Sequence, residues 1–175
     1  MAELPSTLPP RAPASTFRLR LAIVLLTLSL FGCDHATKFA AEASLSHGES
    51  VNVVTGVLEL RYAPNHDTAF SLLRTFNVAR PPGVLLAASA LALVGVLAMW
   101  IASRKRASRV QHVGFALVLA GALGNVVDRA IRGYVVDFIH LTRWPIFNVA
   151  DIAVVAGVIL LGYCAVLRRD DPAPS

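Results

Sequence analysis

The chain has 175 residues, of which 55% are hydrophobic and only 15% are charged, with a mean hydropathy of +0.62 and a formal net charge of +5. Soluble domains carry roughly 25% charged residues, so this composition excludes an ordinary soluble domain and indicates one compact membrane domain. The basic residues flank apolar runs and are not interleaved with aromatic residues, so we expect no nucleic-acid partner.

The first segment, residues 1–17, is rich in Pro, Ala and Ser and predicts a disordered cytoplasmic leader. A single integral-membrane domain is expected over about 18–170, followed by a short tail at 171–175. A bilayer-spanning helix needs roughly 20 mostly apolar residues. Four stretches meet this requirement, so the sequence predicts a mainly α membrane protein with a four-transmembrane-helix bundle. The four stretches are about 19–39, 83–102, 113–131 and 149–167.

The basic residues indicate the orientation of these spans. They precede the first span (Arg18 and Arg20), lie between the second and third (104–109) and follow the fourth (Arg168 and Arg169). With four spans these three sites lie on one side of the membrane, and an excess of Lys and Arg marks the cytoplasmic side. Both termini are therefore expected in the cytoplasm.

The first extracytoplasmic segment is predicted to carry structure of its own. Apolar and polar residues alternate on both sides of the turn-forming Thr55-Gly56, which predicts a short hairpin within a β-cradle over about 43–80. Such a sheet could hold an extended peptide by strand addition. The sequence AFSLL, from residue 69, predicts a short interfacial helix. In the second outer segment, Asp137 is interpreted as a structural loop residue.

Two aspartates lie where a membrane protein can least easily keep a charge. Asp128 comes about one turn before the outer end of the third span, and Asp151 lies in the first turn of the fourth. Ionisable residues within spans are rare and costly, so they indicate function. The two spans are antiparallel, and at roughly 1.5 Å rise per residue both carboxylates reach a similar depth. The sequence therefore predicts a carboxylate pair near the outer boundary.

Two close carboxylates do not easily both ionise, so one keeps a proton. This is the aspartic-protease arrangement, in which the charged member takes a proton from water and the protonated member polarises the scissile carbonyl. No metal, cofactor or covalent nucleophile is expected. Asn125 lies one turn before Asp128, and Asn148 is predicted to cap the helix that carries Asp151.

Other interpretations remain open from the residues alone. Asp128 could instead form an ion pair with Arg129 or Arg132. Intramembrane carboxylates also serve proton-coupled transporters, although the chain shows no clear internal repeat. The sequence ending at Cys33 resembles a lipobox, so the chain could itself be a lipoprotein. A purely structural bundle would leave the polar clusters unexplained.

Four motifs resemble those of the lipoprotein signal peptidases, the type II enzymes of bacterial inner membranes (aspartic peptidase family A8). They are Asp34-His-Ala-Thr-Lys38; Asn65 through Ala69-Phe70-Ser71; Gly121-Ala-Leu-Gly-Asn125-Val-Val-Asp128-Arg129 with Val136-Asp137-Phe138; and Phe147-Asn148-Val-Ala150-Asp151. The resemblance implies a four-helix bundle with an extracytoplasmic β-cradle. It also implies an endopeptidase that removes signal peptides from prolipoproteins, cutting before a diacylglyceryl-modified cysteine, in the membrane and without an obligate protein partner.

By this motif match, Asp128 and Asp151 are expected to be the catalytic dyad. The expected supporting or substrate-binding residues are Asp34, Lys38, Asn65, Asn125, Arg129, Asn148 and Ala150. The sequence departs from the family at His66-Asp67-Thr68, where the family often has a glycine-containing turn. This departure concerns the shape of the substrate-side loop and leaves the dyad untouched.

Overall fold

The structure is a computed structural model that describes residues 14–45, 48–66 and 82–169. Seven elements follow one another along the described chain. They are α1 (Ala14–Leu45), β1 (Ser50–Val54), β2 (Leu58–Asn65), α2 (Pro82–Ser103), α3 (Arg109–Arg132), β3 (Val135–Leu141) and α4 (Val149–Arg169). The predicted interfacial helix falls within 67–81, outside the described residues.

The four helices are long and apolar enough to cross a membrane, which confirms the four predicted spans. Helix α1 differs most from expectation, since it begins at Ala14 and continues to Leu45 instead of ending near residue 39. Its polar residues Asp34 and Lys38 are buried against the other helices, and the residues after Lys38 are mostly good helix formers. The helix also passes without interruption through Cys33.

Helix α3 is the centre of the bundle, because it packs against α1, α2 and α4. Its beginning is fixed by a capping box between Ser108 and Gln111, and its end by Gly133, whose φ of 78° is left-handed. Only one further residue separates Gly133 from β3. The chain therefore leaves the bundle and enters the sheet within a short turn.

Two glycines of α3 allow the helices to approach closely. A Cβ atom at Gly124 would lie 2.5 Å from Oδ2 of Asp34, and one at Gly121 would overlap the carbonyl oxygen of Ala150. Any larger residue would therefore push α1 and α4 away from α3. Small residues at these two positions therefore permit the close helix packing.

The sheet has three antiparallel strands in the order β1-β2-β3. The predicted hairpin corresponds to β1 and β2, whereas β3 occupies residues that the sequence analysis places in an outer loop. Phe138 of β3 packs with Ala41 and Leu45 near the end of α1, joined by Leu60 of β2. This small core fastens the sheet to the end of the bundle where α3 ends and α4 begins.

Candidate active site

A cavity of about 120 Å³ lies at the junction of the sheet with the bundle. Strands β2 and β3 and helices α2, α3 and α4 all contribute to its wall. The described lining residues are Asn65, Leu85, Ala88, Ser89, Asn125, Arg129, Val135, Asp137 and Asp151. Two carboxylates, three of the predicted supporting residues and a small apolar surface from α2 therefore meet in one place.

Asp151 is held by the first turn of α4. Its backbone N–H donates to Oδ1 of Asn148 at 3.0 Å, and its Oδ2 accepts from the backbone N–H of Asn148 at 3.3 Å. This reciprocal pair is a capping box, and it confirms Asn148 as the predicted N-cap. The amide Nδ2 of Asn125 donates to the remaining oxygen, Oδ1, at 2.9 Å. The carboxylate is thus fixed by two donors at the positive end of a helix dipole.

Asp137 reaches the same cavity from β3 and is only 3% exposed. Its Oδ2 accepts from Nδ2 of Asn65, and its Oδ1 accepts from Nδ2 of Asn148, each at 2.7 Å. Burial, followed by the negative charge of Asp151, raises the pKa of Asp137 to about 7. Asn148 therefore contacts both carboxylates, and one of them favours its protonated form.

Asp128 lies elsewhere. Its Oδ2 is 2.8 Å from Nζ of Lys38, and its Oδ1 is 3.7 Å from Nε of Arg132. The side chain is 1% exposed and is not among the described residues that line the cavity. Among the described residues, Asp128 is linked to Asp151 through the ammonium of Lys38 and the amide of Asn125, and the expected pairing of the two carboxylates as a dyad stays a prediction. The ion-pair interpretation of Asp128, with Arg132, agrees with this geometry.

The other predicted supporting residues are connected to one another by hydrogen bonds and ion pairs around Lys38 and Asn125. Lys38 is fully buried, with its Nζ 2.8 Å from Oδ2 of Asp34 and 3.0 Å from Oδ1 of Asn125. Oδ1 of Asp34 accepts from the backbone N–H of Ala150 at 2.9 Å, so α1 holds the first turn of α4 directly. Arg129 lines the cavity and donates to the carbonyl oxygen of Asn125 at 3.4 Å.

Asp137 is interpreted from the sequence as a structural loop residue, whereas the structure places it in β3 and in the wall of the cavity. The β-branched residues of the segment VVDFIHL favour a strand, although its apolar and polar residues do not alternate and its first four residues are all buried. Because alternate strand residues point to opposite faces, an acidic residue between Val136 and Phe138 would have been expected to face away from their side. The β-branched composition of the segment and the Val136-Asp137-Phe138 motif were the signals that the sequence offered for this residue.

A four-helix membrane bundle with two buried carboxylates in one cavity has the arrangement of a membrane-embedded aspartic peptidase. Residues 26–167 match the sequence profile described as signal peptidase (SPase) II. The chain belongs to this family of lipoprotein signal peptidases.

Individual relatives agree with the profile. The lipoprotein signal peptidase of Pseudoalteromonas translucida is 36% identical over 140 residues, covering 78% of this chain and 82% of the relative. That of Geobacter sulfurreducens is 34% identical over 163 residues, covering 91% and 98%. A bacterial membrane enzyme structure determined by the in meso method at 2.3 Å resolution superposes with a TM-score of 0.74 and 26% identity, covering 88% of this chain and 93% of the other.

These matches confirm the predicted fold class and activity. The chain is a multi-pass membrane protein with lipoprotein signal peptidase function, and it is an aspartic endopeptidase. The activity decides against the transporter and the purely structural bundle. It also implies prolipoprotein substrates, as the resemblance of the four motifs led us to expect.

Proposed function

We propose that Asp137 and Asp151 are the catalytic dyad, and that they hydrolyse diacylglyceryl-modified prolipoproteins on the N-terminal side of the lipidated cysteine. One observation carries the assignment of the dyad. These two carboxylates line one cavity and both form hydrogen bonds with Asn148, whereas Asp34 and Asp128 are both held by Lys38.

The raised pKa of Asp137 divides the two roles. With a pKa of about 7 this carboxyl holds a proton near neutral pH, because burial and the neighbouring charge of Asp151 disfavour its ionised form. Asp151 accepts hydrogen bonds from Nδ2 of Asn125 and from the backbone N–H of Asn148, and it lies at a helix N-terminus, so its two oxygens are oriented by fixed donors. Asp137 is therefore the acid and Asp151 the base.

In the first half of the reaction a water molecule between the carboxyl groups gives a proton to Asp151, and its oxygen attacks the scissile carbonyl carbon. Asp137 gives its proton to the carbonyl oxygen, which leaves a neutral tetrahedral diol. In the second half Asp151 returns its proton to the amide nitrogen and the C–N bond breaks. Asp137 recovers a proton from the diol hydroxyl, so both carboxyls end as they began.

The position of the cavity suits a membrane-anchored substrate. The cavity lies where α3 ends and α4 begins, and the basic connection between α2 and α3 lies at the opposite end of the helices. If that basic end is cytoplasmic, then both termini are cytoplasmic and the dyad is near the extracytoplasmic boundary. A signal helix would then present its cleavage site at this depth while the acyl chains stay in lipid.

The test uses purified enzyme with one prolipoprotein, prepared with and without the diacylglyceryl group on its cysteine. The enzyme should cut the modified form selectively. Asp137→Asn and Asp151→Asn should each lower turnover by about 10²–10⁴-fold, the range that proton-transfer groups supply. Asp128→Asn is the matched control, since it makes the same change in another buried carboxylate.

We expect Asp128→Asn, measured per folded enzyme, to keep at least about tenfold more turnover than Asp137→Asn, since proton transfer is the larger contribution. If Asp128→Asn instead lost turnover as completely as Asp151→Asn while Asp137→Asn remained active, the dyad would be the pair first expected from the motifs. Equal cutting of the two substrate forms would contradict the proposed requirement for the lipid.

A further inference from the structure

We infer that Lys38 is a positioning residue, whose buried ammonium fixes the orientation of the Asn125 amide and through it the hydrogen bonds of both dyad aspartates. The inference rests on the proposed function, since it assigns a role relative to Asp137 and Asp151. Lys38 is fully buried and is not among the described residues that line the cavity. It therefore acts through another side chain.

The chemistry of an ammonium decides how the Asn125 amide lies. A Lys side chain has three N–H donors and no acceptor, so the Asn125 atom that faces it at 3.0 Å must be the oxygen. The amide nitrogen must then lie on the other side, where Oδ1 of Asp151 is 2.9 Å away. A flipped amide would place a donor against the ammonium and an oxygen against the carboxylate, and both contacts would be repulsive.

The same oxygen also links Lys38 to Asp137. Oδ1 of Asn125 accepts a second hydrogen bond from Nδ2 of Asn148 at 3.2 Å, and that Nδ2 donates to Oδ1 of Asp137 at 2.7 Å. The orientation of the Asn148 amide is fixed independently, because its oxygen accepts from the backbone N–H of Asp151. The ammonium therefore orients the Asn125 amide, the oxygen of that amide accepts from Asn148, and each of the two amides donates to a different member of the dyad.

Asp34 and Asp128 hold the ammonium in place. Their Oδ2 atoms are each 2.8 Å from Nζ, so the third N–H is directed to Asn125. A purely structural role would be that Lys38 neutralises these two carboxylates and nothing more. Charge neutralisation and positioning can be told apart. Only if Lys38 positions Asn125 does the effect of Lys38→Met on kcat depend on whether the Asn125 amide is present.

The experiment is therefore a double-mutant cycle between Lys38→Met and Asn125→Ala. It is carried out in an Asp128→Asn background, so that removing the ammonium does not leave two buried carboxylates unpaired. Asp34, Lys38 and Asp128 together carry −1, and Asp34 alone carries the same −1 after both changes. kcat and KM for the diacylglyceryl-modified prolipoprotein are measured per folded enzyme, with the folded fraction taken from thermal unfolding in micelles.

We expect Lys38→Met to lower kcat by about tenfold or more, with KM unchanged within about twofold. Without the ammonium the Asn125 amide is no longer oriented, so the hydrogen bond from its Nδ2 to the carboxylate of Asp151 is lost. Once Asn125 is already Ala, adding Lys38→Met should change kcat by less than about twofold, because the effects share one route. Arg132→Met is the control, since Arg132 is another cation near position 128 and pairs with Glu42. It should leave kcat within about twofold of its background.

The inference is overturned if Lys38→Met lowers kcat by the same factor with and without the Asn125 amide, or if it leaves kcat unchanged. Failure of the proposed function has a different signature, in which Asp137→Asn or Asp151→Asn retains turnover. If both dyad variants are inactive and the cycle is additive, the dyad stands and only the role of Lys38 is rejected.

Discussion

Two groups of buried aspartates lie side by side at one end of this bundle, and they differ in their partners. Asp34 and Asp128 form an ion-paired group around Lys38, whereas Asp137 and Asp151 form a cavity pair held by asparagine amides. All four side chains are largely buried. Burial of an acid therefore does not identify a catalytic residue, and what matters is whether it faces a cavity and what neutralises it.

The physical consequence is that the two groups should respond in opposite ways to the loss of a carboxylate. In the ion-paired group each charge compensates another, so removing one leaves a buried charge without its partner. In the cavity pair two like charges repel, and the raised pKa of Asp137 records that repulsion together with burial. Stability and activity are thus expected to depend on different aspartates.

The largest effect on stability should come from Asp128→Asn. Breaking a buried pair by removing one partner destabilises a protein by about 3 kcal/mol or more, and Lys38 would then keep only Asp34 as a charged partner. Asp137→Asn should change the free energy of unfolding by no more than about 1 kcal/mol, because a neutral amide of the same shape replaces a carboxyl whose raised pKa already favours its neutral form. Reversible unfolding of both variants in mixed micelles measures the difference.

Asp151→Asn is a further control, since it changes the second carboxylate of the cavity pair. It should resemble Asp137→Asn in stability. If Asp137→Asn were the more destabilising change and Asp128→Asn the neutral one, the division into an ion-paired group and a cavity pair would be incorrect.

The next effect concerns pH. Because the pKa of Asp137 is raised to about 7 from an ordinary value of 3.8, the proton required of the acid is lost as the pH rises through 7. kcat/KM should therefore fall about tenfold per pH unit above that point. The linked stability has the same sign, since the folded state binds this proton more tightly. This contribution is fully present below pH 3.8 and is lost as the pH rises through 7.

A pH–rate profile of the unchanged enzyme measures the alkaline limb, and the unfolding free energy of Asp137→Asn measures the linkage. In that variant the loss of stability between pH 4 and pH 7 should diminish, because the titrating carboxyl is gone. A rate that stays level up to pH 9 would contradict the assignment of Asp137 as the acid.

The four spans of the bundle could be predicted from the sequence, because each one is recognisable by its length and hydropathy. It was less reliable at boundaries decided by tertiary contacts. Helix α1 continues past Asp34 and Lys38, since partners on α3 and α4 satisfy these polar groups, and those partners lie about 90 to 115 residues away in the chain. Strand β3 was missed because its stability depends on pairing with β2, which periodicity in one segment does not show.

Within the site, the direction of single side chains also depends on tertiary contacts that the sequence does not show. Matched depth correctly brought Asp128 and Asp151 to one end of neighbouring helices, but depth does not specify which way a side chain points. Asp128 turns toward α1, where Lys38 lies, and Asp137 enters from the sheet. The direction of the Asp128 side chain depends on a lysine that lies 90 residues before it, and no local pattern contains that information.

The smallest expected effect is at the edge of the ion-paired group, where Glu42 pairs with Arg132. The two side chains are 36% and 24% exposed, so water screens their attraction and Glu42→Gln should lower the free energy of unfolding by no more than about 1 kcal/mol. The difference should shrink further in roughly 1 M salt, where the screening length is about 3 Å. A loss comparable to that of Asp128→Asn, unaffected by salt, would show that the strongly coupled group extends from the buried lysine to the surface.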